Sequence, residues 1–125
     1  MSYLLDTHVL VELLIAPQRV ATSVRRLLAD SLNDVVVSAV SGWEIAVKTS
    51  IRKLSLPEDL ETELLRTGLR SLDITLADGL RAGALPRHHN DPFDRMLVAQ
   101  AQSRGMTLVT RDPMLAAYGV PILAA

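Results

Sequence analysis

The 125 residues contain no cysteine, which excludes a disulfide framework, a thiol nucleophile and a cysteine-based zinc centre. Aromatic residues make up only 3% against 49% apolar residues overall, so the core must be built from Leu, Val, Ile and Ala. That composition suits strands covered by helices and excludes a disordered chain. No apolar run approaches the ~20 residues of a membrane span, and the amino terminus enters a strand without a basic leader. The expectation is a cytoplasmic protein with no membrane segment. Neither charge dominates: thirteen Lys and Arg face fourteen Asp and Glu, for a net charge of −1. This balance lends no overall support to a basic nucleic-acid-binding face. Several chemistries are missing as well. There is no Gly-rich dinucleotide fingerprint and no phosphate loop ending in Gly-Lys-Ser/Thr. There is no Gly-x-Ser-x-Gly elbow either. A phosphatase with two aspartates spaced by one residue after its first strand would need an acid where His8 stands.

What is present is an alternation of strand and helix patterns in a length suited to one domain, residues 1–125. Strands are predicted at Tyr3–Leu5, Val35–Ser38, Ser71–Ile74, Thr107–Thr110 and Pro121–Leu123. Helical stripes fall at Val9, Leu10, Leu13 and Leu14, and at Val20, Val24, Leu27 and Leu28. Further helices are predicted from about Gly42 to Arg52, Glu58 to Thr67, Ala77 to Gly83 and Pro92 to Arg104, with a short turn from Pro113 to Tyr118. Gly68, Gly83, Gly105 and Gly119 punctuate helix ends. This order implies an α/β fold with a mostly parallel sheet covered on both faces.

Against this frame, Asp6, Glu44, Asp94 and Asp112 all fall where a strand hands over to a helix or a helix begins. Each has a purely structural reading. Ser41-Gly42-Trp43-Glu44 and Asp91-Pro92-Phe93-Asp94 have the spacing of N-terminal caps, and Asp112-Pro113 resembles a cap followed by proline. Thr75-Leu76-Ala77-Asp78 has the same form and serves as the internal control, an acid expected outside any site. The joint pattern separates the readings. In an open parallel sheet the carboxyl ends of the strands form one rim, where helix amino termini favour anions. Two bare carboxylates ~5 Å apart repel by roughly 3 kcal/mol at an effective dielectric of ~20. A divalent cation with a preference for oxygen, Mg²⁺ or Mn²⁺, relieves this repulsion, and the set points to a metal-dependent phosphodiester enzyme.

Arg87, His88, His89, Arg95 and Arg111 flank the acids. The histidine doublet reads as a polar loop, a phosphate contact or, less naturally, a metal ligand. Asp91 reads as the cap that orients Asp94. Lys48, four residues after Glu44, suits a helical ion pair. Trp43 is expected to pack on the core, and base stacking is the alternative. Glu12 reads as a surface partner of His8. Val11 and Ile15, opposite the core stripe, are expected to be exposed and to offer an apolar groove.

These motifs resemble those of PIN-domain nucleases, and within them the VapC-type toxins of bacterial toxin–antitoxin pairs. Leu4-Leu5-Asp6-Thr7-His8 is similar to the family's first motif and Ser41-Gly42-Trp43-Glu44-Ile45-Ala46-Val47-Lys48 to the second. The stretch from Asp91 to Ala101 resembles the third, and Leu108-Val109-Thr110-Arg111-Asp112 the fourth. Any one is weak; the ordered set spans essentially the whole chain. The resemblance implies a PIN-like α/β/α sandwich around about five parallel strands. It also implies a Mg²⁺- or Mn²⁺-dependent endoribonuclease, usually a homodimer, held inactive by a cognate antitoxin. Asp6, Glu44, Asp94 and Asp112 carry over as the catalytic and metal-binding set, and Thr110 as a hydroxyl beside it. Glu12 departs from the aromatic or aliphatic residue common in this subgroup. A catalytically idle module that binds an antitoxin or a regulatory complex is the competing expectation. A deoxyribonuclease or general phosphohydrolase is a third, since nothing in the residues alone distinguishes RNA from DNA.

Overall fold

Strand side chains alternate between the two faces of a sheet, so a strand that is apolar throughout must be covered on both sides. The first strand, β1 (Ser2–Leu5), meets this condition: Tyr3, Leu4 and Leu5 are all buried. The computed structural model describes residues 1–125 and places β1 at the centre of a five-stranded parallel sheet of order β3-β2-β1-β4-β5. The other strands are β2 (Asp34–Ser38), β3 (Arg70–Leu72), β4 (Thr107–Thr110) and β5 (Ile122–Ala124). Leu4 pairs in register with Val36 on one side and Leu108 on the other.

The two faces carry separate cores. Leu4, Val36 and Leu108 point towards α5 (Leu76–Ala84) and α6 (Pro92–Arg104), where Ala82, Leu97, Val98 and Ala101 meet them. Tyr3, Leu5, Val35, Val37 and Val109 point the other way. There they pack on Val9 and Leu10 of α1 (Thr7–Ile15), Val24 of α2 (Thr22–Ala29) and Ile45 of α3 (Ala39–Ser50). Leu60 and Leu64 of α4 (Leu60–Thr67) complete that layer. The result is the expected α/β/α sandwich. No helix is long and apolar enough to cross a membrane.

Some boundaries differ from the sequence expectation, and the differences matter for the site. α3 starts at Ala39, directly off β2, because Ser38 serves as its cap and accepts from the Val40 N–H at 3.1 Å. The expected Ser41–Glu44 capping box therefore does not form. Ser41 is fully buried and shares a 2.8 Å hydrogen bond with the Thr7 hydroxyl, tying α3 to α1. Glu44 moves into the second turn, away from any capping duty. β3 ends at Leu72, because Thr75 and Asp78 form the capping box of α5. Gly83 lies inside α5, whose cap is Leu85, whereas Gly68, Gly105 and Gly119 end their helices with φ of 75°, 63° and 77°. Trp43 is 60% exposed instead of packed in the core, held edge-on by Phe93 with ring centroids 4.9 Å apart. Val11 is half-buried against the second core, while Ile15 is exposed as expected.

Candidate active site

The strand order reverses direction at β1: β2 and β3 lie to one side, β4 and β5 to the other. Ligands of open α/β sheets bind outside the carboxyl ends of the strands at such a switch point. Asp6 leaves β1 there, and its N–H donates to the Val109 carbonyl of β4 at 2.9 Å. A cleft of about 330 Å³ opens at this rim, lined by Asp6, His8, Glu44, Asp91, Asp94, Arg111 and Asp112, with no hydrophobic residue among them. All four acids singled out in the sequence are thus brought together from four separate elements.

Each carboxylate is oriented by a local cause. Asp6 caps α1, its Oδ1 accepting from the His8 N–H at 2.7 Å, and its Oδ2 accepts from the Thr110 hydroxyl at 2.6 Å. The same Thr110 oxygen accepts from the Asp112 N–H at 3.1 Å, so one hydroxyl joins the ends of β1 and β4. Asp112 caps the 3₁₀ turn Pro113–Tyr118 through a bond from the Met114 N–H at 2.9 Å. Glu44 is buried and accepts from Lys48 Nζ at 2.7 Å, the expected i, i+4 pair. Its other oxygen, Oε1, is buried with no hydrogen-bond partner. Asp91 is the true cap of α6, with Phe93 N–H donating at 2.8 Å and Asp94 N–H at 3.4 Å. This duty frees the Asp94 carboxylate.

Asp94 pays for that freedom. Burial, and then the negative charges of Asp6, Asp91 and Glu44, push its carboxyl up to about 7, with only His89 acting in the other direction. His89 is the residue that sequence reasoning underweighted. Its Nδ1 accepts from the Asp91 N–H at 3.0 Å, which leaves the ring proton on Nε2. Nε2 lies 2.9 Å from Asp112 Oδ2 and 3.4 Å from Asp94 Oδ2. One donor atom each from His89, Asp94 and Asp112 lie within 4.8 Å of one another. His88 turns away and stacks edge-on against Tyr118. Tyr118 in turn accepts from the His89 N–H at 3.0 Å, and buried Arg95 donates to the carbonyls of Ala82, Leu85, Pro86 and His89. Arg95 thus braces the loop that carries His89 and has no open side to offer a ligand.

The chemistry of these donors fits a small divalent cation. Oxygens predominate, one buried carboxylate oxygen lacks any partner, and burial together with the neighbouring acids keeps the Asp94 carboxyl protonated to an unusual pH. Residues 3–121 match the PIN domain family. The chain belongs to the PIN-domain family. Within it, the chain is 30% identical to ribonuclease VapC22 of Mycobacterium tuberculosis over 123 residues, covering 96% of this chain and 94% of the relative. Among solved structures, VapBC2 from Rickettsia felis, crystallised with a DNA fragment from its promoter, superposes with a TM-score of 0.74 at 18% identity, covering 98% of both chains. FitAcB from Neisseria gonorrhoeae gives a TM-score of 0.68 at 21% identity, covering 98% of this chain and 96% of that one. In this PIN domain the acid rim, the Thr110 bridge and the His89 contact are all properties of the chain itself.

Proposed function

We propose that the protein is a metal-dependent endoribonuclease that acts as a VapC-type toxin on RNA in the cytoplasm. The observation that carries this reading is the convergence of Asp6, Glu44, Asp94 and Asp112 on one polar cleft at the switch point of the sheet. These four would hold Mg²⁺ or Mn²⁺. The bound cation supplies activation of an attacking water and neutralisation of the leaving oxygen. The chain's own residues set the geometry. Thr110 fixes Asp6, His89 fixes Asp112 beside Asp94, and Lys48 balances one oxygen of Glu44. Hydrolysis forms one bond from water to phosphorus and breaks another from phosphorus to a ribose oxygen, which leaves with a proton. The choice of RNA over DNA rests on the relative named a ribonuclease.

The reading extends to protein partners. A cognate antitoxin and a second copy of the chain are supported by the VapBC likeness and by apolar side chains left in solvent. On α3 and its C-terminal cap these are Trp43, Val47 and Ile51, and on α5 they are Leu76 and Leu80. Beside the cleft, Val11, Ile45 and Leu54 line a groove of about 220 Å³ with His8, Lys48 and Lys53. An extended apolar tail could lie there, close enough for a basic side chain to reach the acids. The test of the enzymatic core is cleavage of single-stranded RNA. Activity is expected with Mg²⁺ or Mn²⁺, and is expected to vanish in a chelator and in Asp6→Asn. Cleavage that persists in Asp6→Asn, or that ignores the chelator, would refute it.

A further inference from the structure

Arg111 is the one guanidinium lining the acid cleft, yet it pairs with none of the four acids. Its partner is Glu12. Glu12 is a buried carboxylate on α1, 6% exposed, which contacts Arg111 Nη2 and lies 3.2 Å from His8 Nε2. Arg111 also donates from Nε to the Ala125 carbonyl at 3.0 Å and from Nη2 to the Arg19 carbonyl. Three anchors from α1, the turn after it and the last strand's end thus fix the plane of the guanidinium. They leave Nη1, with two N–H bonds, without an acceptor in the protein.

This arrangement solves a problem the cleft creates. An RNA strand approaching four carboxylates meets a repulsive field, and a cation at the rim is needed to seat its backbone. A free arginine there would swing onto Asp6 or Asp112 and close the site. Glu12 and the two carbonyls hold it back while leaving Nη1 open, a charged donor that can give a hydrogen bond to a phosphate oxygen. We propose that Arg111, oriented by Glu12, anchors a phosphodiester of the RNA strand at the edge of the acid cleft, an assignment that rests on the ribonuclease reading above. Arg111 is then a substrate-binding residue and Glu12 a positioning residue.

The test is binding of a fluorescently labelled single-stranded RNA, read by anisotropy in chelator over a series of KCl concentrations. Arg111→Gln is expected to weaken binding about tenfold, as befits one charge-assisted contact. It should also flatten the salt dependence of log Kd by about 0.7, the signature of one phosphate contact on a single strand. Because removing one member of a buried pair can unfold a protein, Glu12→Gln/Arg111→Gln is measured beside it. That double variant keeps the net charge and the shape of the pair, so an equal loss of slope reports a local contact and not the global field. Arg70→Gln, at the opposite end of the sheet where Arg70 pairs with Asp34 at 2.8 Å, should bind as wild type. An unchanged slope in the double variant, or an equal loss in Arg70→Gln, overturns the anchor, as does wild-type protein that does not bind RNA. Cleavage of the same RNA in Mg²⁺ is the separate arm: wild-type protein that binds through Arg111 but does not cleave removes the ribonuclease reading and leaves the anchor standing.

Discussion

Asp78 and Asp94 each stand three residues after the N-cap of a helix, behind Thr75 and Asp91 respectively. Both are largely buried, and both belong to helices covering the same face of the sheet. Their surroundings differ in how far burial is offset by positive charge and donors. Asp78 reaches back to its cap, accepting from the Thr75 N–H at 3.0 Å, and is gripped by both terminal nitrogens of Arg104 at 2.9 and 3.0 Å. Gln100 adds a third side-chain donor at 3.3 Å. The Arg104 guanidinium holds the Asp78 carboxyl well below the usual carboxylate range. At Asp94 the cap is itself an acid and takes the backbone donors, and burial, together with the charges of Asp6, of that cap Asp91 and of Glu44, pushes the carboxyl up to about 7. One carboxylate is satisfied by the protein. The other is left for something the protein does not supply.

Substitution should separate them most sharply in activity. Asp94→Asn keeps the shape of the side chain and removes a charge assigned to the cation. RNA cleavage is expected to fall at least about a thousandfold, since such charge stabilisation is worth several kcal/mol, while circular dichroism stays native. Near-normal cleavage in this variant would erase the distinction between the two acids.

Proton linkage gives the next largest effect. Asp94 ionises near 3.8 when unfolded and near 7 when folded, so between these values the unfolded chain releases a proton that the folded chain keeps. The contribution of Asp94 to stability without metal is therefore expected to be fully present below about pH 4, to decline as pH rises, and to be gone above about 7. The decline amounts to a few kcal/mol, at about 1.4 kcal/mol per tenfold change in proton affinity. Denaturant melts of wild type and Asp94→Asn across this window check it. The variant should lose this slope, and an identical slope in both would assign it to other groups.

Asp78→Asn should do the reverse of Asp94→Asn. Breaking its pairing with Arg104 is expected to cost about 2–3 kcal/mol of stability, with cleavage near wild type below the melting temperature. A dead but stable Asp78→Asn would place that acid in the mechanism.

The comparison also shows what could be read from the chain alone. Strand and helix periods, and the handover points where the acids sit, follow from local rules, so the sheet and all four cleft acids were legible. The role of each acid was not, because caps and ligands share one spacing. Asp6 and Asp112 cap their helices and line the cleft at the same time, while the expected capping box at Ser41 and Glu44 is no cap. The spacing of Ser41 and Glu44 predicts a start near Gly42, whereas Ser38 caps α3 and Ser41 is taken up by a buried bond to Thr7, a contact 34 residues away in sequence. Trp43 is exposed where core packing is expected, because an apolar neighbourhood does not say which side of a helix meets the core. His89, rather than His88, enters the cleft because Tyr118 and Arg95 set the loop, and both act across long separations in sequence. The pairing of Glu12 with Arg111 was hidden for the same reason.

The central claim is that the charge Asp94 lacks is a divalent cation. Isothermal titration of Mg²⁺ or Mn²⁺ into metal-free protein at about pH 8, where Asp94 is ionised, tests it directly. Saturable binding is expected in wild type and in Asp78→Asn, with loss or severe weakening in Asp94→Asn. Absence of binding to wild type, or equal affinity in all three proteins, would contradict the account.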